Sequence, residues 1–313
     1  MVLSDRANIS RDKRAVLVIG GVNIDIYGRA DMAESNQENP ADSYPGMIDT
    51  YAGGVARNIA ENLGRLGLGV AFIGCFGTDD FTDFLKTSLT DADVDLSLSA
   101  NSKSRNDSYL SLFRGDGSLI SAVNQMQNVA EISPRYLEQR QQEIETVPTL
   151  VLEGNLSEAT IACLVRMKGR NQKLAADMVS ATKALRFKNH LSEIDILKCN
   201  QLEAAALTGL PERSSLPELS AALIDKGVGR LLLSAAGQGF MLADAEETVW
   251  IEATKTPPSG TTSGAGDALL AGYIYGIETG LDKRQAASFA RDLAALTLQC
   301  DGAVHPNLKE LLK

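Results

Sequence analysis

The sequence predicts an α/β fold, with a mostly parallel central sheet flanked by helices and a small β lid. Three observations carry that expectation. Apolar runs of strand length recur, each followed by a stretch of helical periodicity, which is the signature of a parallel sheet wrapped by helices. The strand runs are Ala15–Ile19, Val70–Cys75, Thr149–Leu152, Lys173–Ala176, Ile194–Lys198 and Arg230–Ser234. The helical stretches include Val55–Leu66, Leu202–Thr208, Leu216–Lys226, Ala268–Thr279 and Arg284–Gln299. Third, Met47–Tyr51 and Tyr109–Val123 read as strands with no helix between, the latter turning at Arg114–Gly117, where Asp-Gly favours a hairpin. These strands form the predicted lid, a device that can shield a bound reactant from water.

Composition narrows the function. At 313 residues and 44% hydrophobic content the chain can bury a substantial core. Forty acidic against thirty basic side chains give a net charge of −10, which argues against a nucleic-acid polymer as partner. No apolar run reaches the length of a membrane span, and Ala15–Val22 reads as a buried strand rather than a leader. Cys75, Cys163, Cys199 and Cys300 are scattered without a CxxC pair, so they read as buried thiols in a reducing cytosol, and a cytoplasmic location is expected. With only His190 and His305, a histidine-based centre is hard to assemble, and a carboxylate becomes the expected base.

Three local patterns carry chemistry. Thr261-Thr262-Ser263-Gly264-Ala265-Gly266-Asp267 runs directly into an apolar helix. Small residues at a helix N-terminus leave backbone amides facing an anion, and Asp267 in the first turn can take a proton from an attacking hydroxyl. A plain helix start capped by Asp would look the same. Gly53-Gly54 opens an amphipathic helix, with Asn58 one turn in and able to reach sugar hydroxyls, although tight helix–sheet packing also explains the glycine pair. Asn23 and Asp25 follow the first strand, where α/β sheets present ligand groups, and a carboxylate there suits two vicinal hydroxyls; an Asx turn is the alternative.

Taken together, the Gly-Gly helix and the later Gly-Ala-Gly-Asp helix, roughly 200 residues apart, resemble the two motifs of the ribokinase (PfkB) family. The resemblance runs from Val16 to about Pro306 and implies a ribokinase-like fold. It divides the chain into a polar tail, 1–14, and a kinase domain, 15–313, with lid segments inserted at about 22–52 and 106–125. It implies ATP and Mg2+ as cofactors and a small nucleoside or sugar as partner, with no membrane and no nucleic acid. Asp267 becomes the catalytic base, and the amides of Gly264, Ala265 and Gly266 the anion hole. Asn200 and Glu203 match an Asn-x-x-Glu element that organises magnesium through water. Ser234, Gly237 and Gly239 match the nucleotide loop, with Ala236 where relatives usually have glycine. Thr261 stands where many relatives carry an Asp that helps bind a monovalent cation, which puts that cation in question here. Exposed lid edges of this type often pair, so a homodimer through the lid is a further expectation.

Longer stretches resemble one branch, the pseudouridine kinases: Tyr44–Gly67, Asp107–Leu112, Ala122–Met126, Glu153–Ile161, Asp177–Lys183 and Leu197–Gly209. That likeness implies that Ser108, Tyr109 and Asn124 face the base or ribose, and that Asp177 and Lys183 lie on the nucleotide side. The expected reaction is 5′-phosphorylation of pseudouridine. The alternatives are another sugar or nucleoside acceptor, and a catalytically weak ligand-binding regulator. A dinucleotide-binding enzyme is excluded, because no GxGxxG follows the first strand.

Overall fold

The computed structural model describes residues 14–30, 43–115, 118–255 and 263–308. The chain enters through β1 (Val16–Ile19) and rises at once into lid strand β2 (Asn23–Ala30) and its partner β3 (Gly46–Gly53). Helix α1 (Val55–Arg65) leads back to β4 (Val70–Ile73) and the short β5 (Cys75–Phe76). After α2 (Thr82–Thr90) come β6 (Val94–Asp95), β7 (Ala100–Asn101) and the lid hairpin β8 (Asp107–Arg114) and β9 (Leu119–Gln125). Short helices α3 (Pro134–Glu138) and α4 (Gln141–Glu145) precede β10 (Thr149–Glu153), α5 (Glu158–Met167), β11 (Lys173–Asp177) and α6 (Ala181–Ala184). Next follow β12 (Ile196–Asn200), α7 (Gln201–Thr208), α8 (Leu216–Asp225), β13 (Arg230–Ser234), β14 (Gly239–Asp244) and β15 (Thr248–Glu252). Helices α9 (Ala265–Glu278) and α10 (Lys283–Thr297) close the described chain.

The main sheet runs β15-β14-β13-β12-β11-β10-β1-β4-β6. All its strands from β13 to β6 are parallel, and β14 and β15 add an antiparallel edge. The strands are apolar on both faces because helices cover both. Leu17, Leu150, Leu174, Leu197 and Leu231 belong to one core layer; Val16, Val18, Val151, Ala175, Ile196 and Leu232 belong to the other. Helices α9 and α10 pack closely, since a Cβ on Gly272 or Gly276 would fall 2.8 Å from Ala290 Cα or 2.6 Å from Ala286 Cβ. This contact explains the small residues inside an otherwise apolar helix.

The predicted lid is a separate four-stranded sheet, ordered β3-β2-β8-β9, with β2 and β8 parallel. Arg114 N–H bonds the Ser118 carbonyl across the hairpin, while Asp116 and Gly117 lie outside the described residues. The expected strand Val70–Cys75 is divided at Gly74: β4 stays in the main sheet, and β5 pairs with β7 in a two-stranded sheet of its own. Arg14, expected in the loose tail, is tied down by a 2.5 Å pair with Asp95. Helix α2 and the antiparallel edge were not expected from sequence; α2 has only Leu85 and Leu89 fully buried, too sparse an apolar stripe to read reliably. All four cysteines are free thiols; Cys75, Cys163 and Cys199 are buried, but Cys300 is only half-buried. No helix among the described residues is long and apolar enough to cross a membrane.

Candidate active site

The order of the main sheet reverses between β10 and β1, and a crevice opens at the carboxyl ends of such strands. Glu153, Asp177, Asn200 and Ser234 are the last residues of β10, β11, β12 and β13, and Lys198 lies two residues before the end of β12. The lid rises from the end of β1, and the N-terminus of α9 supplies the remaining wall.

Gly264 is the N-cap of α9, with φ 80°, and Asp267 sits in the first turn. The first intrahelical bond runs from the Ala268 amide to the Gly264 carbonyl, so the amides before it have no helical acceptor. These are the amides of the expected anion loop, and they are free of helical partners. Asp267 is buried, and its Oδ2 accepts a 2.7 Å hydrogen bond from Asn58 Nδ2. Burial, followed by the charge of Asp177, pushes its carboxyl up to about 7, against the lowering influence of Lys198 and Asn58. A carboxylate poised near neutrality suits a general base. Thr261 and Thr262 lie outside the described residues.

Asn58 was expected on the ribose. Its amide donates to Asp267, and its Oδ1 accepts from Arg57 Nε at 3.0 Å, which fixes the side chain beside that carboxylate. The Gly53-Gly54 pair is explained by close approach. A Cβ on Gly53 would lie 2.4 Å from the Asp25 carboxylate, and one on Gly54, at φ 103°, would lie 2.5 Å from the Gly21 carbonyl oxygen. Asn23 Nδ2 donates to Asp25 Oδ1 at 2.7 Å, and the Tyr27 hydroxyl donates to Oδ2 at 3.3 Å. Burial raises the Asp25 carboxyl, although Asn23, Arg57 and Tyr27 all favour its charged form. The Tyr27 hydroxyl, its one proton given to Asp25, also lies within hydrogen-bond distance of the Ser263 hydroxyl at 3.2 Å, linking the lid carboxylate to the anion loop.

Strand register decides which lid residues share a face. Tyr51 pairs with Asp25, Asp25 with Tyr109, and Tyr109 with Asn124, so these four form one row across the sheet. Tyr27 lies on the same face, packed at 5.5 Å on Tyr51 and 5.8 Å on Phe113. Ser108 does not join them. Successive side chains alternate, and Ser108 lines a separate cavity of about 210 Å³ with Ile24, Asp79, Arg105 and Gln125. A larger groove, about 340 Å³, lies on that same opposite face and is lined by Ile26, Ile48, Leu110 and Leu112, away from Asp267.

On the nucleotide side, Asn200 and Glu203 prove to be a capping box. Glu203 N–H donates to Asn200 Oδ1 at 2.9 Å, and Asn200 N–H donates to Glu203 Oε2 at 2.8 Å. The expected metal-organising pair is thus also the element that starts α7. Ser234 sits beside Asn200 in register, its hydroxyl donating to the Cys199 carbonyl at 3.3 Å. Ala236 adopts φ 46°, the left-handed conformation that a glycine takes readily, so the loop keeps that backbone despite the substitution. Gly239, at φ 124°, approaches the Ile251 carbonyl, where a Cβ would lie 2.2 Å away, whereas Gly237 faces open space. Lys183 is half-buried and donates to Asn155 Oδ1; burial lowers its pKa.

Sequence reasoning gave no role to three site residues. Glu153 is fully buried, accepts from the Gly21 amide and from both the amide and the side chain of Asn155 at 2.7–2.8 Å, and is pushed up to about 7 by burial. Tyr27 bridges lid and loop. Lys198 pairs with Asp177 at 2.9 Å. Glu153 and Lys198 carried one available signal, a charge inside a strand otherwise apolar on both faces, where charges are rare unless paired.

The arrangement can also be tested for a metal. Asp177, Glu203 and Asp267 all act on the single Lys198 ammonium, and three carboxylates against one cation leave excess negative charge. Burial and the charge of Asp177 raise the Glu203 carboxyl. No group of three such ligands converges among the described residues. This donor set fits a magnesium ion that keeps most of its waters and takes one or two carboxylates, and Glu203 and Asn200 are the residues that would hold it.

A helix N-terminus with free opening amides, a buried carboxylate in its first turn and a β lid fit a kinase of the ribokinase-like fold. The chain belongs to the pfkB family of carbohydrate kinases, which it matches over residues 13–310. It is 32% identical to a pseudouridine kinase of Escherichia coli over 302 residues, 95% of each chain. Among solved structures it resembles a carbohydrate kinase from Agrobacterium tumefaciens (27% identity, TM-score 0.79, 96% and 97% of the two chains). It also shares the fold of an Arabidopsis thaliana ribokinase complexed with ribose and ATP (20% identity, TM-score 0.81, 96% and 99% covered).

Proposed function

We propose that this chain is a cytosolic, magnesium-dependent kinase that transfers the γ-phosphoryl group of ATP to the 5′-hydroxyl of pseudouridine. The observation that carries the reading is Asp267, a buried carboxylate held by Asn58 in the first turn of a helix whose opening amides face outward. Asp25 receives the ribose hydroxyls from the lid. Tyr109 and Asn124, in its row, face the base, and Tyr27 and Tyr51 add aromatic surface that a planar base can contact. Asp267 takes the 5′-hydroxyl proton as the oxygen attacks phosphorus. The amides of Gly264, Ala265 and Gly266 receive the charge that develops on the transferred group. Ser234 and the following loop hold the phosphate chain. Bound magnesium supplies charge neutralisation on the phosphates, and Glu203 would hold it through water. The likeness to the E. coli pseudouridine kinase supports the acceptor.

The test is mass-spectrometric detection of product with ATP and Mg2+ across pseudouridine, uridine, adenosine, ribose and fructose. Selective formation of pseudouridine 5′-phosphate is expected. Conversion of another acceptor alone discards the substrate, and no product from any discards the reaction.

Glu203→Gln separates metal binding from helix capping. An amide oxygen still accepts from the Asn200 amide, so the melting temperature stays close to that of the parent. The charge is gone, so the Mg2+ concentration for half-maximal rate rises about tenfold, as for loss of an important ligand-shell group. Glu203→Ala also loses the cap, at about 1 kcal/mol. An unchanged Mg2+ requirement in Glu203→Gln removes Glu203 from the metal site.

A further inference from the structure

Lys198 lies in β12, directly beside Asp177 of β11 in register, and is 9% exposed. Its Nζ is 2.9 Å from Asp177 Oδ2. It also reaches the anion loop: a Cβ built on Gly266 would fall 2.6 Å from Nζ and 3.0 Å from Cε. The glycine at the second helical position of α9 is thus the space that this ammonium occupies. An ammonium has three donors, and Asp177, 2.9 Å away, is its one ion-pair partner among the described residues, so donors are left beside the helix N-terminus. A buried ion pair adds little to stability by itself. Here the cation and the positive end of α9 meet at one place, which is an arrangement for receiving an anion.

We propose that Lys198 is a catalytic residue: braced by Asp177 under Gly266, its ammonium donates hydrogen bonds to oxygens of the phosphoryl group during transfer. This rests on the kinase reading above. The acceptor oxygen bonds to the γ-phosphorus as the bond to the β–γ bridging oxygen breaks. The electron pair leaves with ADP, and the hydroxyl proton goes to Asp267. Lys198 keeps its protons throughout and contributes fixed positive charge where negative charge moves. It acts beside the loop amides, from a strand that the glycine-rich motif does not include.

The experiment compares the parent with Lys198→Met by calorimetric binding of ADP and Mg2+ in the presence of pseudouridine, with and without aluminium fluoride, which mimics the phosphoryl group in flight. In the parent, aluminium fluoride tightens ADP binding. In Lys198→Met, ADP alone binds within about threefold of the parent, while that tightening falls at least about tenfold and kcat falls about a hundredfold. If the lone buried carboxylate prevents folding, Asp177→Asn/Lys198→Met removes it and the same ratio is read. Retained tightening in a folded variant overturns the proposal, as does an equal loss in both ADP affinities, the mark of a merely structural lysine. A parent that neither tightens nor phosphorylates any acceptor fails on its own, and that outcome overturns the kinase reading itself and this proposal with it.

Discussion

Asp267→Asn is expected to lower kcat by about two orders of magnitude or more while leaving ATP and acceptor binding measurable. Asparagine keeps the shape and can turn its carbonyl oxygen to the Asn58 amide, so the geometry survives and only the base is lost. The same variant should be more stable than the parent. In the folded protein the Asp267 carboxyl is pushed up to about 7, chiefly by burial and by Asp177. An acid whose folded pKa exceeds its unfolded value binds more protons when folded, so its stability contribution declines as pH rises from the ordinary carboxylate range through about 7. Above that pH the parent carries the whole penalty, and the Asn variant carries none. Its melting temperature should therefore exceed the parent's by about 2 °C or more at pH 8. The difference should shrink at lower pH.

The activity profile follows from the same group. A general base works only when ionised, so the parent's kcat/KM should fall as pH drops through about 7. Residual turnover of the Asn variant should lack that limb. Near-parental turnover in the variant would remove Asp267 from the role of base.

Gly264→Ala is the second large effect expected. Gly264 has φ 80°, and a Cβ there would lie 2.1 Å from the Ala303 carbonyl oxygen and 2.6 Å from its Cα. Both obstacles are backbone and cannot swing aside. The substitution should cost about 2–4 kcal/mol of stability by denaturant unfolding. It should also cost about a hundredfold in kcat, because displaced amides no longer meet the developing charge. Gly237→Ala is the matched control. Nothing lies within 4 Å of its Cβ position, so stability should change by no more than about 0.5 kcal/mol. Similar behaviour of the two variants would mean that the helix start tolerates movement, contrary to a preorganised anion site.

The contrast between these glycines shows where sequence reading stops. Both belong to family-like motifs, yet only one is sterically obligatory. Ala236 makes the same point in reverse: it departs from the expected glycine, but its φ of 46° keeps the glycine-like backbone. Asn58 was legible as a site residue and illegible as to partner, because Asp267 is 209 residues away in the chain. The family resemblance assigns Ser108 and Tyr109 together as parts of one lid strand, and strand alternation sends them to opposite faces.

The sequence by itself determined the alternation of strand and helix, the lid strands, and the start of a helix at Gly264–Asp267. These are local matters: apolar periodicity sets element type within a dozen residues, and small residues before an apolar run mark a helix start whose amides are free. Only the tertiary structure decided that Asn58 serves Asp267, that Tyr27 joins the lid to the loop, and that Lys198 stands under Gly266. Those contacts join segments far apart in the chain, and which distant groups meet is settled by sheet order and packing rather than by local pattern. The pKa of Asp267 belongs with them, since it comes from burial and from the charge of Asp177 on another strand.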